Sequence, residues 1–311
     1  MTELTTLALM LPLATAVVVA TLPRSEPGLV RALAVIGALL ELALIVGIVW
    51  SFDPAGPAVQ REVAMPWVPA YGIAWSLGVD GRALAPLLTL GLVFPLALLL
   101  GERSRGVIVG LLGLQAAWVA VVLARDVVTL GAAWELSAVL TVVLLGQRED
   151  PLPGQAAAVR RHAAHVLLGA AALIGAVVLL GVSHAHATGG AWSWDLDALA
   201  SVTRPVATQQ LGFALLLLAI ATTLPLFPIH GALVSVCVSG PTPVVAVLLG
   251  AGMPMAVVLL MRVGMPMFPL IAGEWANPIA ALAVVGGVYA ALVCWAEREP
   301  GRLLAHVALL H

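Results

Sequence analysis

Long apolar runs, cut at intervals by proline and glycine, constrain this chain more than any other feature. In order they fall at residues 4–22, 30–50, 83–101, 106–124, 127–146, 163–182, 209–227, 242–263 and 277–296, and 303–311 starts another. A helix needs about 20 mostly apolar residues to cross the hydrocarbon core. In that solvent the backbone satisfies its polar groups only as helices or as a closed barrel. Nine such runs predict an all-α, polytopic transmembrane helix bundle with no domain outside the bilayer. The breakers lie where turns are needed: Pro23 with Pro27, Pro54 with Pro57, Pro151 with Pro153, and a Pro/Gly-rich stretch at 265–278. Charge agrees, since only 10% of residues are charged against roughly 25% in soluble domains. No basic stretch precedes the first run, so 4–22 reads as a span and not a cleaved leader.

Several function classes drop out. There is no basic stripe interleaved with aromatics, so nucleic acid is not an expected partner. The two cysteines, Cys237 and Cys294, are far apart in apolar stretches and read as small buried residues. There is no cysteine cluster, haem attachment motif or dinucleotide fingerprint. The expectation is therefore no cofactor, no metal and no redox chemistry in this chain. Two longer polar segments, 51–82 and 183–208, read as loops. His184-Ala185-His186 in the second offers two imidazoles, too few for a metal site.

All 14 basic residues are arginine. Nine of them, including Arg103, Arg105, Arg148, Arg160 and Arg161, follow odd-numbered spans, and five follow even-numbered ones. The excess of positive charge marks the cytoplasmic side. It places the N-terminus outside a bacterial-type inner membrane, with 102–106 and 147–162 in the cytoplasm.

Two acids fall inside spans: Glu41 in the second and Glu135 in the fifth. A charge at the bilayer centre costs about 2.5–3.5 kcal/mol on insertion scales, so such residues face the bundle interior and mark ion or proton paths. The seventh run is anomalous in another way. Thr222, Thr223, Pro225, Pro228 and His230 lie together, and Gly240-Pro241-Thr242-Pro243 opens the next run. Each proline removes a backbone donor, and discontinuous membrane helices line ion sites in transporters. The expectation is a helix interrupted between Thr223 and Gly231.

These motifs together resemble a known family. Ser76-Leu77-Gly78-Val79-Asp80-Gly81, Arg125-Asp126 with Trp134-Glu135-Leu136-Ser137, Leu224 to Gly231, Gly240-Pro241-Thr242-Pro243-Val244 with Arg262, and Arg302-Leu303-Leu304-Ala305 with His311 stand in family order. The chain is similar to the antiporter-like membrane subunits of respiratory complex I (the L, M and N chains of NADH-quinone oxidoreductase) and to Mrp-type cation/proton antiporters. The resemblance runs from about residue 75 to residue 311.

The resemblance implies a proton path along the mid-plane of the membrane. A glutamate of the fifth helix, here Glu135, would pair with a lysine of the broken seventh helix, with a second lysine on the eighth. This sequence departs from that pattern: the first lysine falls on Thr223 and the second around Met253 or Pro254. His230 stands at the break, and His162 and His165 are the other titratable side chains near in sequence. Family members run on through about four further helices, so the fold implied is truncated in its second inverted repeat. The parts are 1–105 (three helices), 106–264 (the first repeat) and 265–311 (the start of the second). The reading is a membrane subunit of a complex I or Mrp-related assembly with a partial proton path, partnered by other membrane subunits and the lipid bilayer. Two alternatives stay open: a superfamily member serving a membrane-bound hydrogenase or inorganic-carbon uptake complex, and a non-transporting scaffold or truncated gene product.

Overall fold

The computed structural model describes all residues except 1, 2, 24, 102, 103, 149–151 and 225. The predicted spans form helices α1 (Glu3–Thr21), α2 (Pro27–Trp50), α3 (Leu84–Leu100), α4 (Arg105–Leu123), α5 (Val127–Leu145) and α6 (Gln155–Ala187). After the short α7 (Leu196–Ser201) come α8 (Val206–Thr223), α9 (Gly231–Ser239), α10 (Thr242–Met267), α11 (Pro269–Ala296) and α12 (Pro300–Leu310). Among the described residues eight helices are long and apolar enough to cross a membrane. The 17-residue α3 is just shorter and fills the place of the third predicted span. The protein is a multi-pass membrane protein.

The helices differ in depth. α4 lies at the centre, with 78% of its best 18-residue window buried, whereas α11 has 11% and lies at the edge. Exposed leucines and valines on the outer helices, such as Leu40, Val139, Leu167 and Val284, suit a lipid surface.

α10 contains two π-helical turns, Leu248–Gly252 and Leu260–Gly264. Each ends two residues before a proline, Pro254 and Pro266. Proline lacks the N–H that closes a helical turn and crowds the carbonyl four residues back. A widened turn just before it relieves both, so the two Met-Pro-Met stretches of the sequence account for both irregularities.

The polar segments depart from the sequence reading. Residues 59–80 form an antiparallel hairpin, β1 (Val59–Val68) with β2 (Ile73–Asp80), joined through Pro69–Tyr71 and Gly72. Gly72 has φ +63° and faces the Trp192 carbonyl, so a side chain there is excluded on both counts. Trp67 and Trp75 belong to the hairpin. The segment 183–208 is also ordered: α6 runs on through His184 and His186, and α7 follows. The two segments meet, with Trp194 Nε1 donating to the Tyr71 carbonyl at 2.8 Å and the Val127 N–H to the Trp194 carbonyl at 2.9 Å. Together they form a small layer over the α4–α5 junction. The 265–278 stretch is not a breaker throughout, because α11 passes through Pro278.

Candidate functional site

The seventh span is broken where the prolines fall. α8 ends at Thr223, and the Leu224 N–H still reaches the Ile220 carbonyl at 2.8 Å. Residues 226–230 make turns, and α9 starts at Gly231. Pro228 lies within the break; Pro225 falls outside the described residues. Pro241 and Pro243 stand at the start of α10, where a missing N–H costs nothing.

Beside the break, α4, α5, α6, α8, α9 and α10 enclose a cavity of about 50 Å³. Its polar lining is Ser137, Thr141, His162, Thr222 and Thr223, and Met253 closes another side. A water needs roughly 10–15 Å³ measured this way, so the space takes about three. The hydroxyls of Ser137, Thr141 and Thr222 donate to carbonyls of their own helices, which leaves their lone pairs free to accept. His162 Nε2 is buried without a hydrogen-bond partner. Thr222 is held there by a close approach: a Cβ on Gly169 of α6 would overlap its side chain. Thr223 and Met253, the two positions where the resemblance expects lysines, thus look into one cavity, with His162 as its titratable side chain. The Pro254 ring lines a different, larger space beside α3 and α11.

The other predicted site residues scatter. Glu135 lies on α5 one residue from the cavity-lining Trp134; it is half-buried, its Oε1 has no hydrogen-bond partner, and it does not itself line the cavity. Glu41 is fully buried on α2 with both oxygens unpartnered, on the stripe that carries Ala38, Ile45 and Ile48. His165 is half-buried one turn along α6 from His162. His230 caps α9, with Nδ1 buried and unpartnered. Its ring lies 5.3 Å from that of Tyr289 on α11 and 5.9 Å from that of His306 on α12. Sequence reading missed Tyr289 and His306. The only signal was a titratable residue one turn after Arg302 in an otherwise apolar run.

A charged network occupies the end of the bundle near the hairpin. Asp80, at the end of β2, faces Arg262 at 3.1 Å, Arg125 at 3.5 Å and Arg82 at 3.6 Å. Arg125 also pairs with Asp197 at 2.5 Å, and Arg262 donates to the Ala124 carbonyl at 2.6 Å. Asp126 caps α5 by accepting the Thr129 N–H at 2.6 Å and accepts the Ser76 N–H at 3.3 Å. Burial pushes the Asp126 carboxyl above its ordinary value, against the pull of those N–H groups. Three sequence motifs, Ser76 to Asp80, Arg125-Asp126 and Arg262, converge here.

Residues 124–311, more than half of the chain, match the family model described as NADH:quinone oxidoreductase/Mrp antiporter, TM. The chain is 30% identical over 311 residues to NAD(P)H-quinone oxidoreductase chain 4 2 of Thermosynechococcus vestitus, covering 98% of itself and 57% of that protein. It is 27% identical over 263 residues to NADH-quinone oxidoreductase subunit M of Escherichia coli, covering 82% of itself and 52% of that protein. Thus it spans about half the length of the curated relatives it matches. In fold it is similar to a chain of respiratory complex I from Thermus thermophilus (TM-score 0.84, 23% identity, 99% of this chain and 62% of that one). It is also similar to a chain of the Mrp complex from Dietzia (TM-score 0.78, 21% identity, 98% and 33%). The broken helix, the converging motifs and these matches agree: the chain belongs to the family of antiporter-like membrane subunits shared by NADH:quinone oxidoreductase and Mrp antiporters.

Proposed function

We propose that this chain serves as a membrane subunit of a complex I or Mrp-related assembly and supplies one station of its proton path. The observation that carries this is the small polar cavity into which Thr223, Met253 and His162 look, beside the break in the seventh span. A neutral imidazole accepts a proton and an imidazolium donates one. His162, with waters held by Ser137, Thr141 and Thr223, takes the part that the resemblance gives to lysine, and Glu135 lies on the approach along α5. The path is partial, since Thr223 and Met253 stand where the resemblance expects lysines. Residues 106–264 hold its working repeat, 1–105 precede it, and 265–311 open a second repeat. Its partners are other membrane subunits, as in the complex I and Mrp assemblies whose chains it resembles in fold.

Proton translocation by native-membrane vesicles tests this. His162→Gln and Glu135→Gln should each lower it at least tenfold while assembly is kept. Unchanged translocation in both would leave only a scaffold role. The purified chain alone in liposomes should show no cation-dependent proton exchange across an imposed pH gradient. Robust exchange would make it a transporter in its own right.

The arginine distribution supports an outside N-terminus in a bacterial-type inner membrane, which puts the hairpin layer outside. A single cysteine at residue 104 should then label only from the cytoplasm, and one at residue 190 only from outside; the reverse pattern inverts the topology.

A further inference from the structure

The aromatic cluster behind the break is a second place where protons have somewhere to go. His230, at the start of α9, and His306, on α12, have ring centroids 5.9 Å apart at 68°. Tyr289 of α11 sits against both, at 5.3 Å and 6.2 Å, and Phe227 stacks on His230 at 6.0 Å. The His306 ring is oriented by its own helix: Nδ1 lies 2.7 Å from the Arg302 carbonyl. A carbonyl only accepts, so Nδ1 carries the hydrogen and Nε2 keeps a free lone pair. His306 is 6% exposed, and His230 Nδ1 is buried with no partner. Each histidine therefore has one ring nitrogen uncommitted to the protein backbone.

Two positively charged imidazoles this close repel, and two neutral ones leave the buried His230 Nδ1 unsatisfied. One shared proton avoids both costs. A metal would need more ligands: among the described residues, no three of His, Cys, Asp and Glu gather at one point. The other ionisable groups nearby lie at the α11–α12 junction and on α9. Glu297 and Arg302 lie within electrostatic reach of His306. Glu299 accepts the Gly301 and Arg302 N–H groups and bears on Cys237.

We propose that His230 and His306, packed together against Tyr289, form a proton-sharing pair that passes a proton between the broken helix and α12. In the transfer an N–H bond breaks on His230 and one forms at His306 Nε2, with the single positive charge conserved. The direction of transfer rests on the proton-path reading above; the sharing does not.

The test is the titration of the ring nitrogens by NMR, with 15N-histidine in the full chain in lipid nanodiscs. His230→Gln and His306→Gln identify two of the seven histidines. An isolated site goes from one-tenth to nine-tenths protonated over about 2 pH units, and a strongly coupled pair titrates in two separated steps. The expected result is a two-step titration of the pair spread over about 4 pH units, collapsing to a single step when either partner is replaced. Independent single-step curves, unmoved by loss of the partner, would overturn the proposal. Should the variants misfold, a ring-to-ring nitrogen cross-peak in the wild-type chain decides: its presence supports the pair, its absence overturns it. Failure here leaves the vesicle result for His162 and Glu135 standing, and the converse also holds.

Discussion

The C-terminal end of α10 and its middle treat charge in opposite ways. At the end Arg262 is locked against Asp80 within a network of three arginines and two aspartates. In the middle, around Met253, the cavity holds hydroxyls, an unpartnered imidazole and no ion pair among the described residues. One π turn precedes Met253 and a second contains Arg262. What differs is the job. Paired buried charges fix elements relative to one another, because any displacement exposes a costly unpaired ion. Unpaired polar groups around a small hydrated space leave room for a proton to change carriers. The network ties the hairpin, the α4–α5 junction, α7 and α10 together, and the cavity sits in the frame so made.

Breaking the network should have the largest effect. Asp80→Ala leaves Arg125 and Arg262 facing one another, with side chains 4% and 1% exposed. Removing one partner from a buried ion pair costs about 3–5 kcal/mol. The unfolding free energy in mild detergent should fall by that amount, and Asp80→Leu combined with Arg262→Met should recover most of it. A loss below about 1 kcal/mol would mean that the arginines reach water, and the contrast between the two regions of α10 would go.

The sequence made the membrane layout legible because solvent imposes it. Span length is tied to hydrocarbon thickness and proline position to backbone hydrogen bonding. The break was equally legible, since Pro228 and the residues around it cannot continue a ladder. The hairpin was not. Pro66, Glu62 and Arg61 interrupt the alternation that marks a strand, and its pairing is fixed by contacts with Trp192 and Trp194 far along the chain. Glu135 stood out as an intramembrane acid, yet the cavity it adjoins is defined by six helices and could not be read from any one of them. His306 stayed hidden because its partner lies 76 positions earlier in the chain.

Glu41 sharpens the comparison with a smaller effect of opposite sign. It is fully buried, and neither carboxyl oxygen has a partner. An unsatisfied buried polar group costs about 1–3 kcal/mol. Glu41→Met fills similar volume without that cost and should raise the unfolding free energy by about that much. A drop would place a partner at Glu41 within the assembly or in the form of bound water, and would move it from the unpaired class to the paired one.

The smallest expected effect lies at the α11–α12 junction, where a charge is paired but exposed. The Glu297 carboxylate accepts the Glu299 N–H at 3.0 Å and the Arg298 N–H at 2.9 Å. The Glu299 bond foremost, then the Arg298 bond and the charges of Arg302 and His306, hold it below its ordinary value of 4.5. The sign follows from which state takes up the proton first. Above the ordinary value the carboxylate is ionised whether folded or unfolded, and its stabilisation is fully present. As pH falls below that value the unfolded chain protonates first, and the stabilisation drains away until pH passes through the lower folded value. Glu297→Gln should therefore lower the thermal midpoint slightly near neutral pH and not at all in strong acid, with the two curves converging just below the carboxylate range. Solvent screening at this surface junction keeps the difference small. A constant offset between variant and wild type across that range would show that the junction is held by packing rather than by this charge. The exposed pair would then teach nothing about how the buried network holds the opposite end of the bundle.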